Sequence, residues 1–396
     1  MPTASPSITP ASTAALRADH SAASATGAAP VGAGPSAGEA TGPVTEPPAG
    51  AAPRVRRAPP PARPTLIPGL ARVWRGPDVL QLGVEPGPTC VVVLPHPALG
   101  RVVDLLDGAL TVPALVTRAA HDGVPAAYVH ALLEALTHAG VLVPAAHLYP
   151  ARLPPARRRR LTAEAAALAL AEPWRSPAAA LQARSAARVR LTGDGPLLSG
   201  VARELARAGL GRLDPVPAVR SRRVAVCAEI AAAAPDVDCA PLARDPTVVV
   251  HVGLVGPAAL VALGHARRRQ PHLLVGVRGS VVAVGPLVPP SGGPCLECLD
   301  RHRADRDPGW PRLAGQLGVG AGPAGAVALG AGAAYAAGQV LAVVDGRAPH
   351  TIGAVVEFDR DGVPRRRRWD RHPWCPCTGS PPTPTGVRAG PVWATI

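Results

Sequence analysis

The stretch Val189-Arg-Leu-Thr-Gly-Asp-Gly195 decides the fold of the larger part of this chain. Its first four residues predict an apolar β-strand, and Gly193 and Gly195 predict a tight turn directly after it. An amphipathic helix is predicted next, from about Leu197 to Ala208. Glycine lets the backbone approach a phosphate at a helix N-terminus, so Gly193 and Gly195 are candidate cofactor-binding residues of a Rossmann-like domain.

The glycine turn has a second interpretation, an ordinary connection between strand and helix. Leu198 occupies the usual third glycine position, and Gly200 comes two residues late. Asp214 falls before Pro215, and Pro217 follows, so no acidic residue stands where a ribose-binding acid is expected after the next strand. The turn alone therefore does not establish nucleotide binding.

The sequence after this turn alternates predicted strands and helices, which favours a largely parallel sheet. Strands are predicted at Val224–Cys227, Thr247–Val252, Leu273–Val277 and Val281–Val288, a helix at Ala258–Arg268, and a hairpin from Val355–Asp359 to Val363–Trp369. The uncharged segment Leu317 to Val344 is 28 residues long, enough for a membrane span. Because Gly and Ala dominate it, we predict a buried helix instead.

Two short cysteine pairs, Cys295-Leu-Glu-Cys298 and Cys375-Pro-Cys377, carry the strongest chemical signal. Two thiolate pairs on separate loops can meet at one tetrahedral metal, and Zn²⁺ with four Cys ligands is the usual structural solution. Such a site has no open position, so we expect it to clamp the C-terminal hairpin to the sheet and not to catalyse. Unpaired surface thiols and a redox pair are the alternatives. The other thiols, of Cys90, Cys227 and Cys239, are predicted to be buried.

Between the pairs lies a polar loop with His302 and Asp305, which Trp310 should cover. A catalytic histidine is one interpretation, and a hydrogen-bonded loop beside the metal is the other, which we favour. We assign no catalytic residue.

Residues 1–66 are rich in Ala, Pro, Ser, Thr and Gly, so we expect disorder there, and a flexible tail at 379–396. Residues 67–150 predict a three-stranded meander and three helices, the third from about Pro125 to Ala139, which form a winged-helix-like domain. Residues 151–186 are predicted to be a linker with one helix at Thr162–Ala171. The domain with the cysteines then covers 187–378.

The chain carries a formal net charge of +14, yet contains no Lys and no Asn. Dense basic runs occur at Arg157–Arg160 and Arg365–Arg368, which indicate either a solvated face or contact with a polyanion. No apolar stretch follows a charged N-terminal region, so we expect no secretory signal and a cytoplasmic protein.

With these residues in place, the chain resembles the ThiF-like proteins encoded beside azole-forming peptide-modification enzymes in actinobacteria, within the ThiF/MoeB and ubiquitin-activating superfamily. The resemblance is most specific from Val284 to Trp310, which includes Cys295-Leu-Glu-Cys298, and it also covers His372 to Cys377 and the domain before the linker. It implies an α/β fold, with a Rossmann-like ThiF-type domain and zinc site preceded by a winged-helix-like peptide-recognition domain.

The resemblance further implies that the winged-helix-like domain captures the leader of a ribosomal precursor peptide for a cyclodehydratase partner, as in bacteriocin biosynthesis. The leader would add a strand beside Thr89–Val93 and lean on the third helix. A homodimer is expected from the family analogy alone, and we expect neither membrane nor nucleic acid as a partner.

The adenylating relatives use a Lys, an Asn and an Asp around ATP, but this chain has no Lys or Asn and carries Gly253-Leu-Val255 where the acid is expected. We therefore expect the fold to be kept and the adenylation chemistry, with its ATP, to be lost. The alternatives are an active ThiF-type adenylyltransferase, in which Arg replaces Lys, and a winged-helix DNA-binding protein. The third helix offers no Arg, Gln or Ser on its exposed face to read bases.

Overall fold

The computed structural model describes residues 61–84, 89–172, 175–253, 257–316 and 322–378. The predictions for residues 1–60, for Leu254 and Val255, and for the tail 379–396 lie outside these ranges. The chain divides at Ala145 into two compact units.

The first unit contains two small sheets and three helices. Its strands are β1 Pro64–Leu66, β2 Arg72–Trp74, β3 Val79–Leu82, β4 Cys90–Val93 and β5 Leu142–Pro144, and its helices are α1 Leu99–Asp104, α2 Val112–His121 and α3 Ala126–His138. Strands β2, β3 and β4 form an antiparallel meander, and β1 pairs with β5.

The predicted meander and helices are confirmed within a few residues, because local signals mark their ends. Thr111 caps α2 with its hydroxyl, α3 starts after Pro125, and Gly140 follows α3 with a φ of 70°. Alternate residues of β3 and β4, Leu80, Leu82 and Val92, are buried against the helices. Pro64–Leu66, expected to be disordered, instead forms β1.

The expected linker contains more helix than predicted. Helix α4, Ala145–Leu148, precedes it, and its own helices are α5 Pro155–Arg160, α6 Thr162–Ala171 and α7 Pro177–Ala186. Only α6 was predicted, since the proline-rich ends of α5 and α7 resemble breakers, although proline suits the first turn of a helix. Arg184 of α7 is buried and forms a two-bond ion pair with Asp345, with its Nε and Nη2 2.9 and 2.8 Å from the carboxylate oxygens.

The second unit is built on a mixed sheet of seven strands. Its remaining elements are β6 Arg188–Gly193, α8 Pro196–Arg207, β7 Arg212–Pro217, α9 Arg222–Ala233, β8 Val248–Val252, α10 Ala258–Arg267, β9 His272–Arg278, β10 Val281–Val288, α11 Leu296–Arg306, α12 Trp310–Gln316, α13 Ala326–Val344, β11 Ala354–Phe358, β12 Pro364–Arg368 and a short 3-10 helix Pro376–Thr378. The order across the sheet is β12-β11-β10-β9-β8-β6-β7. The strands from β7 to β9 are parallel, and β10, β11 and β12 are antiparallel to their neighbours.

The strand predicted at Val224–Cys227 is wrong, because these residues lie inside α9. Val226 and Ile230, four residues apart, form the buried stripe of that helix. The true second strand is β7, which contains Pro215 and Pro217. It lies at the edge of the sheet, where proline costs no ladder bond, so a sequence pattern that suggests a breaker is compatible with a strand.

Among the described residues, α13 is the one helix long and apolar enough to span a membrane by length and composition. It packs against α8 and β10, and Ala333, Ala336, Ala337 and Val340 belong to the main core. Gly332 lets α13 approach the sheet, because a Cβ there would lie 2.3 Å from Val282 Cγ1. The contacts are those of a core helix, as predicted.

Candidate metal centre and the turn after β6

The two cysteine pairs meet at one end of α11. Cys295 occupies the N-cap position of α11, and Cys298 lies in its first turn. Cys375 and Cys377 come from the 3-10 helix region that follows β12. The sheet thus brings together two loops that are about 80 residues apart in the sequence.

The four sulfur atoms are arranged closely enough to bind one ion. The Sγ atoms are 3.7 Å apart for Cys295 and Cys298, 3.6 Å for Cys295 and Cys375, and 3.2 Å for Cys298 and Cys377. All four lie within 4.8 Å of one another. Sulfurs bound tetrahedrally to zinc at about 2.3 Å would be roughly 3.8 Å apart. Three of the thiols are buried and Cys377 is half-buried, so the donor set and its spacing fit a closed metal site.

The thiols cannot all ionise without a cation. A hydrogen bond from the Cys295 thiol lowers the pKa of Cys298 to about 4 and raises the pKa of Cys295. Burial raises the pKa of Cys375 to about 12, and it also raises the pKa of Cys377. By itself the cluster therefore favours one thiolate, and four thiolates this close together require a cation between them.

The polar segment with His302 and Asp305, predicted to be a loop, is instead the last part of α11, and hydrogen bonds hold the loop before Cys375 against it. His372 Nε2 lies 2.9 Å from Asp305 Oδ2, and His302 Nε2 lies 3.0 Å from the carbonyl oxygen of Asp370. The Trp374 N–H donates to His372 Nδ1, which leaves the His372 proton on Nε2, facing Asp305. The histidines thus orient the loop that carries the second cysteine pair.

Aromatic rings and guanidinium groups pack on α11 beside this loop. Trp310 donates from Nε1 to Asp300, and the Arg303 guanidinium carbon lies 5.0 Å from the centre of the Trp310 ring. Arg306 lies 5.1 Å from the ring centre of the buried Trp369. Trp310 thus packs on the segment that it was expected to cover, although that segment is helical. Sequence reasoning missed the roles of Trp369 and His372, which lie more than 60 residues from their partners on α11.

The three remaining thiols differ in exposure. Cys90 is buried, and burial raises its pKa. Cys227 and Cys239 are only partly buried, so the prediction of full burial holds for Cys90 alone. Burial is also the main reason that the pKa of Cys239 rises to about 12, which opposes a reactive thiolate there.

At the other candidate site, Gly193 ends β6 with a φ of 121°. A Cβ at this position would lie 1.9 Å from the carbonyl oxygen of Val252 on β8. Glycine is therefore required by the close approach of two neighbouring strands, whether or not a phosphate binds. Gly195 is the N-cap residue of α8, with a φ of 86°, which favours glycine in the turn.

The surroundings of the turn do not form a phosphate site. The Asp194 carboxylate accepts a hydrogen bond from the Val219 N–H and pairs with Arg222 at 3.2 Å. Pro196 opens α8 and lacks an N–H. Asp214 lies inside β7, where Arg190 and Arg223 each bind it at 2.9 Å, so it cannot hold a ribose. An anion at this helix start would meet Asp194, so the described residues of this turn do not fit a phosphate group.

Three histidines that the sequence analysis does not single out come together where α10 meets the strands β8 and β9. His251 Nδ1 lies 2.8 Å from Thr192 Oγ1, and His251 Nε2 lies 2.7 Å from His265 Nε2. The His272 ring stacks on His265 with centroids 4.3 Å apart. Burial is the main cause that lowers the pKa of His251 to about 3 and of His265 to about 4, and it also lowers the pKa of His272. The cluster is neutral at pH 7.

Comparison with known proteins finds similarity in structure only. No family model matches the chain, and no curated protein matches it. A heterocyclase determined in complex with substrate and cofactor aligns with 80% of this chain at a TM-score of 0.53 and 18% identity, and the heterocyclase TruD aligns with 81% at 0.53 and 19%. E. coli MccB, determined with ATP, aligns with 80% at 0.53 and 14%.

The alignments differ in how much of each relative they cover. This chain spans 39% and 43% of the two heterocyclase chains, about two fifths of their length, but 99% of MccB. At such identities the likeness concerns the fold alone. Over about four fifths of its length, this chain has the mixed α/β fold that MccB shares with part of these heterocyclases.

Proposed function

We propose that this chain is a ThiF-like scaffold that binds the leader of a ribosomal precursor peptide and presents it to a cyclodehydratase partner. Among the described strands β4 pairs with β3 alone, and its free edge beside α3 is the observation that carries the proposal. Structural similarity to heterocyclases and to MccB, which has been determined together with MccA, supports a place in peptide modification. The chain would act in the cytoplasm, where such peptides are made.

The edge of β4 offers main-chain groups to an added strand. The order of the meander leaves β4 with a neighbour, β3, on one side. The Leu94 N–H donates to the Asp78 carbonyl at one end of this pair. In an antiparallel pair, every second residue exchanges main-chain hydrogen bonds with the neighbouring strand. The peptide groups of Leu94 and Val92 therefore face β3, and those of Val91 and Val93 face outward.

The neighbouring helix completes a recognition groove. α3 packs against β4, and Val129, Leu132, Leu133 and Leu136 fix its buried face. The side chains of Val91 and Val93 remain half-buried, so they can still contact an apolar residue of an added strand. Main-chain bonds would supply affinity, and contacts with Val91, Val93 and α3 would supply specificity.

In the second unit, we propose that Cys295, Cys298, Cys375 and Cys377 hold a structural zinc ion. With four protein ligands, the ion would supply a cross-link between α11 and the loop after β12 and no catalysis. Because the turn at Gly193 does not fit ATP, the sheet would serve as a docking platform, without adenylation chemistry.

A binding experiment on the full chain tests the proposed function. The probe is the fluorescein-labelled peptide encoded nearest to this gene that ends in a Cys/Ser/Thr-rich region, and anisotropy is measured at 50 and 300 mM salt. Val91→Pro removes the outward N–H, and Val91→Thr keeps it as the matched control. We expect Val91→Pro to weaken binding by about tenfold, because the loss of one hydrogen bond costs up to about 1.5 kcal/mol. Val91→Thr should change the affinity little.

A 20-base-pair DNA duplex serves as the competing probe. A peptide held by main-chain bonds should bind with weak salt dependence, whereas a DNA-binding protein loses affinity steeply as salt rises. Tight, salt-sensitive DNA binding, or equal peptide affinity of the two Val91 variants, would contradict the proposal.

A further inference from the structure

The outer strand β12 lies at the opposite edge of the seven-stranded sheet from β7, and it carries one of the two runs of four arginines in the second unit. All five of its residues are exposed. It pairs with β11 on one side, and no other described strand pairs with it. An open edge of this kind can accept a further strand from another polypeptide.

The register identifies which peptide groups of β12 are free. The Asp359 N–H donates to the Val363 carbonyl, and the Trp369 N–H donates to the Gly353 carbonyl. Because every second residue of an antiparallel pair bonds to the neighbouring strand, the peptide groups of Arg365 and Arg367 face β11. The peptide groups of Arg366 and Arg368 then face outward. The side chains of Arg366 and Arg368 share one face of the strand.

The charges on β12 are largely unpaired. Arg367 lies 3.5 Å from Glu357, and Arg366 donates to the carbonyl of His350. Among the described residues, no ion pair involves Arg365, Arg366 or Arg368. The other basic run of the sequence is different, because both Arg157 and Arg160 pair with Asp236 and donate to carbonyls at the end of α8. In that run Arg159 also has no ion pair among the described residues, but it lies on a helix, whereas the arginines of β12 lie on an open sheet edge.

The face beside Arg366 and Arg368 is a shallow depression of about 390 Å³. Arg371 adds a third guanidinium to its lining, Asp370 contributes one carboxylate, and Ile352, 39% exposed, supplies an apolar surface. The depression thus has a net positive charge, and Pro294 and Trp369 add to its apolar surface.

A charged edge strand commonly serves only to prevent aggregation, and this interpretation is the simplest. A second copy of the chain is a poor occupant, since two edges with four arginines each would repel. The chain's own termini lack complementary charge, because residues 1–60 contain three acidic and four basic residues and residues 379–396 contain no acidic residue. A partner of the opposite charge is the occupant that the edge favours.

We propose that β12 receives an acidic, extended segment of another polypeptide, which adds an eighth strand to the sheet. Its carboxylates, at alternate positions, would face Arg366, Arg368 and Arg371, and its peptide groups would bond to those of Arg366 and Arg368. This surface is separate from the β4 edge in the first unit and does not depend on the function proposed above.

The test uses the full chain and a fluorescein-labelled octapeptide of four Thr-Glu repeats, with the Thr-Gln octapeptide as the neutral control. We expect the Thr-Glu peptide to bind and the Thr-Gln peptide to bind at least about fivefold more weakly, as the loss of several cross-strand charge pairs implies. Arg366→Ala should weaken binding by about threefold. Arg366→Pro, which also removes the outward N–H, should weaken it by about a further fivefold. Arg159→Ala, in the other run, and Val91→Pro, in the first unit, should leave it unchanged.

A peptide-side control does not depend on the folding of the proline variant. Two Thr-Glu octapeptides are N-methylated, one at every Thr and the other at every Glu. Because an added strand turns alternate peptide groups to the protein, one isomer should lose binding and the other should keep it. Equal loss in both isomers, equal binding of the Thr-Gln peptide, or no binding of the Thr-Glu peptide would overturn the proposal. Tighter binding of a dT12 oligonucleotide with equal effects of both Arg366 variants would indicate a polyanion site instead.

Discussion

The four-cysteine cluster leads to the sharpest prediction, which replaces Cys375 by Ser. A serine oxygen is a poor zinc ligand at neutral pH, so three thiolates would remain and the metal would be lost or held weakly. Cys227→Ser is the matched control, since Cys227 lies on α9 and outside the cluster. We expect the parent and Cys227→Ser to hold one zinc per chain, and Cys375→Ser to hold well under one.

The magnitude follows from linkage between metal binding and folding. The two cysteine pairs are far apart in sequence, so their sulfur atoms come within 3.2 to 3.7 Å of each other only in the folded chain. At a free zinc concentration 1,000 times the dissociation constant, such a site stabilises the folded state by about 4 kcal/mol. In a unit of this size the loss should lower the melting temperature by on the order of 10 °C.

Elemental analysis and calorimetry of the three proteins measure both quantities. Addition of a chelator to the parent should lower its melting temperature to that of Cys375→Ser, and addition to Cys375→Ser should change nothing. A parent with far less than one zinc per chain refutes the reasoning. So does a Cys375→Ser protein that keeps both its zinc and its melting temperature.

Two further predictions concern buried polar groups. The pKa of His251 is lowered to about 3, against about 6.5 in the unfolded chain, so the unfolded chain takes up the proton first. The stabilisation is therefore full above pH 6.5 and falls towards pH 3 by up to about 1.4 kcal/mol per pH unit. In denaturant unfolding at pH 7, 6 and 5, the unfolding free energy of His251→Gln should depend less steeply on pH than that of the parent, and identical slopes would contradict the neutral cluster. Arg184→Met leaves Asp345 buried without its main partner and should cost about 3 to 5 kcal/mol of unfolding free energy, whereas the double variant Arg184→Met, Asp345→Leu should recover most of it. Arg207→Ala at the exposed Glu204 pair should cost at most about 1 kcal/mol, and a cost as small for Arg184→Met would contradict the role of the buried pair.

Features encoded by local sequence were predicted well. The cysteine pairs, the meander, α3, α6 and the hairpin of β11 and β12 depend on residues within one turn or one element, so spacing and caps suffice to find them. The meeting of the four cysteines was also predictable, since two short thiol pairs have few other structural uses. Zinc itself remains a prediction.

Features that depend on position in the sheet were not predictable. β7 contains two prolines and is a strand only because it lies at the edge, a fact that the order of all seven strands determines. The segment Val224–Cys227 of α9 suggests a strand because four apolar residues in a row fit either periodicity. The His251, His265 and His272 cluster joins two strands and a helix, and no spacing within any one of them marks it.

The turn after β6 shows why a glycine motif is weak evidence for a nucleotide. The Cβ of any other residue at position 193 would collide with the carbonyl oxygen of Val252, so the packing of β6 against β8 alone requires glycine. The chemistry of binding depends instead on the groups around the turn. Here these are Asp194, which pairs with Arg222, and Asp214, which two arginines already bind. The folding of this sheet therefore explains the glycine at position 193, and that glycine by itself is no evidence that a phosphate binds.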